Sequence, residues 1–139
     1  MKKYAVGMLV LVCVAVAMML AGCSGVSSTT LSNAKKAYTA VRTIDTQLDA
    51  MTSRDIYDGL VSKGSQALAN FEMEKDSSNM PLFDEAMNAA ISDYNDASSR
   101  WRNDLMEYGT ANGDAIMQSD WADADTQLDT ALVELKKVQ

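Results

Sequence analysis

The chain has 139 residues, with 12 basic and 19 acidic side chains, no histidine and two cysteines, for a formal net charge of −7. An acidic surface of this kind is repelled by phosphate backbones, which argues against nucleic acid as a partner. The missing histidine removes imidazole bases and the Glu-x-x-His ligand pairs of di-iron bundles.

Lys2 and Lys3 precede an apolar stretch from Tyr4 to Ala21, which closes on Leu20-Ala21-Gly22-Cys23. A charged head, an apolar body and a small-residue end are the parts of a secretory signal. About 18 apolar residues would also suit a spanning helix, but such a helix gains nothing from Leu-Ala-Gly-Cys at its end. The segment resembles the signal of the bacterial lipoprotein class, with Leu20, Ala21 and Gly22 at the three positions before the modified cysteine. The resemblance covers this segment alone and names no family for the rest of the chain. It implies cleavage before Cys23, a diacylglyceryl thioether on the Cys23 sulfur and usually a further fatty acyl chain on its amine. Several acyl chains anchor stably where a single one is marginal. The resemblance therefore implies a lipid-anchored protein of the cell envelope. In Gram-negative members, a serine such as Ser24 after the cysteine favours the outer membrane, facing the periplasm.

On this reading residues 1–22 are the signal, 23–30 the lipidated cysteine and a flexible tether, and 31–139 one domain large enough for a real core. Two lysines leave with the signal, so 10 basic residues face 19 acidic ones and the mature net charge is −9. That charge disfavours broad electrostatic docking to anionic headgroups, and attachment falls to the lipid. Cys13 also leaves with the signal, and no thiol remains for a disulfide, a metal or a Cys-His nucleophile. Seven polar or small residues from Ser24 to Thr30 reach roughly 24 Å when fully extended. The domain is thus expected close to the bilayer.

Beyond the tether the apolar residues recur at helical spacing, and no sustained period-two run stands out. The expected fold is all-α, an antiparallel bundle of four helices. A first helix is marked by Leu31, Ala34, Tyr38, Val41, Ile44, Leu48 and Met51, with Thr30 or Ser32 as N-cap. Thr52-Ser53-Arg54-Asp55 has the form of a capping box, and a second helix from there would turn Ile56, Leu60, Ala67, Leu68 and Phe71 inward. One long first helix with a phase slip, in a three-helix bundle, is the alternative. Gly59 and Gly64 each weaken the second segment by about 1 kcal/mol relative to alanine.

Asp76 to Pro81 interrupts the pattern, with Pro81 suited to the first position of a third helix. There Phe83, Met87, Ala90, Tyr94, Ala97, Trp101, Leu105 and Tyr108 follow at steps of three and four. Gly109 to Gly113 ends that helix, Asn112 or Gly113 being able to supply a left-handed residue. Met117, Trp121, Ala124, Leu128, Ala131, Leu135 and Val138 mark a fourth, closed by Lys136 and Lys137 at its negative end.

Asp45-Thr46-Gln47-Leu48-Asp49 recurs unchanged as Asp125-Thr126-Gln127-Leu128-Asp129. The likeness does not extend to either side, which favours coincidence between two acidic amphipathic helices over duplication. Asp120, Asp123, Asp125 and Asp129 are the densest acidic cluster, but they lack the glycine and terminal glutamate of a calcium loop and read as a solvated helix face. No metal or cofactor is expected. Arg100-Trp101-Arg102 adjoins the ladder of Tyr94, Trp101 and Tyr108 and is the candidate interaction surface; its plainer role is a buried aromatic seam with Arg100 in a charge network with Asp96 and Asp104. The mature methionines, at 51, 73, 80, 87, 106 and 117, read as scattered core fillers.

The residues thus support a non-enzymatic envelope lipoprotein acting as a structural or protein-interaction module, with an envelope protein as partner. The alternative is a ligand-binding or sensing bundle with a pocket lined by residues such as Tyr38, Tyr94 and Trp101.

Overall fold

The computed structural model describes residues 25–48, 53–108 and 115–139, and the side chains of 102–108 and 115 are outside that set. Leu20, Ala21, Gly22 and Cys23 lie outside the described residues, as do Met51, Asn112 and Gly113. Among the described residues there are four α-helices: α1 Ser28–Gln47, α2 Arg54–Glu72, α3 Pro81–Tyr108 and α4 Ala115–Lys137. A 3-10 turn, Ser77–Asn79, sits in the link between α2 and α3.

The first helix starts three residues earlier than expected. Ser27, not Thr30 or Ser32, is the N-cap, its hydroxyl accepting from the Thr30 N–H at 3.2 Å. Thr30 is itself buried, and Val26 packs against the core. Ser53, in extended conformation, caps α2 by accepting from the Ile56 N–H at 3.4 Å. The break there gives two helices rather than one long one, and Ser53 replaces Thr52 as the capping hydroxyl. Each such cap contributes about 1 kcal/mol by satisfying an orphan donor. Pro81 opens α3 as expected.

Each helix packs on its neighbours in chain order, and α4 returns to α1. The pairs α1–α2 and α3–α4 share the most surface, while α1 and α3 meet only across the diagonal. Cross-helix contacts fix the directions: Phe71 near the end of α2 meets Phe83 near the start of α3 at 5.1 Å between ring centres, and Arg100 late in α3 meets Asp120 early in α4. Neighbours are therefore antiparallel.

The core is lined by Ala34, Ala37, Val41 and Ile44 from α1, by Phe83, Met87, Ala90, Tyr94 and Ala97 from α3, and by Met117, Ala124, Leu128, Ala131 and Leu135 from α4. Leu31, Tyr38, Leu48, Trp101, Trp121 and Val138 are half-buried at its edge. On α2 the buried stripe is Tyr57, Val61, Gly64, Leu68 and Phe71, one residue out of phase at its start with the expectation. Ile56 is 53% exposed and Leu60 only half-buried. Gly64 lies on this stripe, its bare backbone against α1 with the Val41 side chain beside it. Met80, Met87 and Met117 fill the core, but Met73, at the end of α2, is exposed. No helix among the described residues is long and apolar enough to cross a membrane.

Candidate functional site

Among the described residues the polar chemistry of the bundle gathers at its seams, and one rich seam lies between α1 and α4. Arg42 projects from α1 and forms a hydrogen-bonded ion pair with Asp125 of α4. The same guanidinium stands 3.7 Å from Asp45, three residues along its own helix, and 4.0 Å from Asp129. Burial pulls the Arg42 pKa down, but the bond to Asp125 and the charges of Asp125 and Asp45 outweigh it, and the net shift is upward. Tyr38, one turn earlier, has its hydroxyl pKa raised by burial first and then by Asp129, Asp125 and Asp45, against the opposing pull of Arg42. The two copies of Asp-Thr-Gln-Leu-Asp thus meet across one arginine, Asp45 from the first and Asp125 from the second.

Beside this seam lies a groove of about 280 Å³ lined by Asp45, Leu48, Gln118, Trp121, Ala122 and Asp125. An aromatic face with two carboxylates suits a cationic group. Among the described residues no cluster of three or more carboxylates or thiols is placed to hold a metal ion.

The inner wall of the groove rests on Tyr57. Its buried hydroxyl donates to the Tyr94 carbonyl at 2.8 Å and accepts from the Trp121 indole N–H at 3.2 Å. Its ring is 5.8 Å from that of Trp101 and 6.4 Å from those of Tyr94 and Trp121, in tilted or edge-on contacts. Burial pushes the Tyr57 pKa well up, so the phenol stays a neutral donor. Burial also raises the Tyr94 hydroxyl, which has no hydrogen-bond partner among the described residues.

Arg100 hydrogen bonds through Nε to Asp120 at 2.7 Å, and the Asp120 side chain is only 16% exposed. The α4 aspartates are therefore not simply a solvated face: Asp120, Asp125 and Asp129 are drawn to arginines of neighbouring helices. Trp101 turns inward to Tyr57, and the Arg102 side chain is outside the described set. Of the residues expected to line a pocket, Tyr94 is fully buried in the core, while Tyr38 and Trp101 are half-buried beside it.

A second polar seam joins α2 to α3, where Arg54 pairs with Asp58 at 2.8 Å and Asp58 accepts from the Ser98 hydroxyl. Sequence reasoning missed Arg42 and Tyr57. Arg42 stands three residues before Asp45, a helical spacing that would have shown half of its seam.

Comparison with protein-family models, curated proteins and solved structures finds no match for this chain.

Proposed function

We propose that the protein is a non-enzymatic lipoprotein of the bacterial cell envelope, anchored through acyl chains on Cys23, whose helical bundle serves as a structural or protein-interaction module. The observation that carries this reading is Leu20-Ala21-Gly22-Cys23, four positions before the cap of the first helix at Ser27. Only Ser24 and Gly25 separate Cys23 from Val26, which packs on the core, and the three steps span about 10 Å at full extension. An anchor this short holds the bundle against the membrane and limits partners to that layer.

The test is in-cell crosslinking and pull-down with mass spectrometry, run beside a Cys23→Ala form that cannot be acylated. A specific protein enriched with the lipidated form and lost with Cys23→Ala is the expected result. Abundant lipidated protein that enriches nothing would sink the interaction role.

A second reading, binding or sensing of a small ligand, is favoured by the groove in which Trp121 lies beside Asp45 and Asp125. Tryptophan emission titrated with small quaternary ammonium and amine probes tests it, and an unchanged spectrum argues against it.

A further inference from the structure

The end of the bundle that receives the chain from Cys23 carries an apolar groove of about 200 Å³ between the start of α3 and the end of α4. Met80, Pro81, Leu82, Phe83 and Val138 line it, with Glu134 and Lys137 paired at 2.5 Å on its edge. Leu82 is 54% exposed, a large apolar side chain held in water. Three ties fix the incoming chain beside this groove. Asn79, which also lines it, donates to the Gly25 carbonyl at 2.5 Å. The Ser27 N–H donates to Asp76 at 3.3 Å, and Val26 packs on the core. Cys23 is two residues from Gly25 and so within about 7 Å of it, however the link is arranged.

We propose that this end of the bundle is a membrane-facing surface, seated on the lipid bilayer with Pro81, Leu82 and Val138 in its interfacial layer. The inference rests on the lipid-anchor reading. The occupant is the bilayer because the acyl chains enter it at Cys23, and a link this short leaves no layer between groove and lipid for a protein. Lys75 and Lys136 are exposed at the same end. Their stems can cover apolar surface while their ammonium groups meet lipid phosphates. The helices then run away from the membrane. The 28 residues of α3 span about 42 Å, which sets how far the opposite end of the bundle stands from the bilayer.

Cys13 leaves with the signal and Cys23 is acylated, so Ser78→Cys, Leu82→Cys or Ser119→Cys each supplies the sole free thiol of the lipidated protein. Ser78 is exposed beside the groove, and Ser119 is exposed in the second turn of α4 at the other end. The full chain is produced in bacteria and its lipidated form placed in phosphatidylcholine vesicles. Each thiol carries an environment-sensitive fluorophore, and quenching by lipids with a nitroxide near the headgroup is measured. Quenching about threefold stronger at positions 78 and 82 than at 119 is expected, since interfacial insertion reaches only 5–10 Å into the bilayer. Equal quenching at all three, or stronger quenching at 119, in protein whose mass shows the acyl chains overturns the orientation and leaves the anchor standing. Protein recovered without acyl mass overturns both. Ser78→Cys touches no apolar contact and keeps the test valid if Leu82→Cys fails to fold.

Discussion

Gly59 and Gly64 both lie inside α2, and by helix propensity each costs about 1 kcal/mol relative to alanine. Their surroundings give them opposite outcomes. A Cβ at Gly59 meets nothing within 4 Å, whereas one at Gly64 comes 3.0 Å from Val41 Cγ2 and 3.7 Å from both Ile44 Cδ1 and the Val41 backbone. Val41 and Ile44 are fully buried and cannot swing into solvent. Gly59→Ala is therefore expected to stabilise the bundle by about 1 kcal/mol. At Gly64 the same gain is opposed by overpacking of about 1–3 kcal/mol, so Gly64→Ala should be neutral or destabilising by up to about 2 kcal/mol. Urea unfolding followed by far-UV circular dichroism measures both. Combining Gly64→Ala with Val41→Ala identifies the contact, because the truncation should cost about 1 kcal/mol less in that background than in the parent. If Gly64→Ala stabilises as much as Gly59→Ala and shows no coupling to Val41, the close approach of α1 and α2 at Gly64 is refuted.

Tyr57→Phe keeps the aromatic contacts but strands the Trp121 indole N–H, and a loss of about 1–3 kcal/mol is expected in the same unfolding assay; an unchanged midpoint would remove the hydroxyl from the network. Arg42→Met should cost less than about 1 kcal/mol, because the seam is partly exposed, and the loss should shrink as salt is raised. A large, salt-independent loss would mean that Arg42 acts through packing instead. The Asp93 carboxyl is pushed above its ordinary range by burial first and then by Asp123, Asp120 and Asp96. Its folded pKa exceeds its unfolded one, so its contribution is most favourable at low pH and is lost as pH rises through the folded value. Asp93→Asn should accordingly stabilise the protein near neutral pH and have no effect at about pH 3, as read from unfolding midpoints across that range. A midpoint gain that persists at low pH would refute the electrostatic cause.

Over the described residues, three of the four buried stripes were legible because α1, α3 and α4 carry aliphatic and aromatic residues at steps of three and four, while Met51 and the side chains of Leu105 and Tyr108 of the expected stripes lie outside that set. On α2 two stripes compete. Ile56 and Leu60 look like the inner face by hydrophobicity alone, but Tyr57 has three ring partners and two partners for its hydroxyl. Gly64 carries no apolar signal, yet it occupies the buried stripe through its lack of a side chain. The start of α1 is hidden for a related reason: Ser27 and Thr30 are polar in composition, but one caps the helix and the other is buried in its first turn. The candidate seam was less legible than the fold. Ion pairs such as Arg42 with Asp125 depend on which helices become neighbours, and no local spacing encodes that.

The repeated pentapeptide acquires a physical reading from the same seam. Within each copy the first aspartate and the leucine are three residues apart, so both lie on one side of the helix. Leu128 is fully buried and Leu48 half-buried, while Asp45 and Asp125 turn to Arg42 at the core's edge. Two antiparallel helices that close a bundle against each other place the same demand on both partners: an apolar knob inward and a carboxylate beside it to meet the guanidinium. A shared demand of this kind yields a short identity with no likeness on either side, as the sequence shows, and needs no duplicated ancestor. It also leaves one arginine facing three carboxylates, Asp45, Asp125 and Asp129. Two of the three, Asp45 and Asp125, also line the Trp121 groove, where carboxylates beside an aromatic ring suit a cationic group.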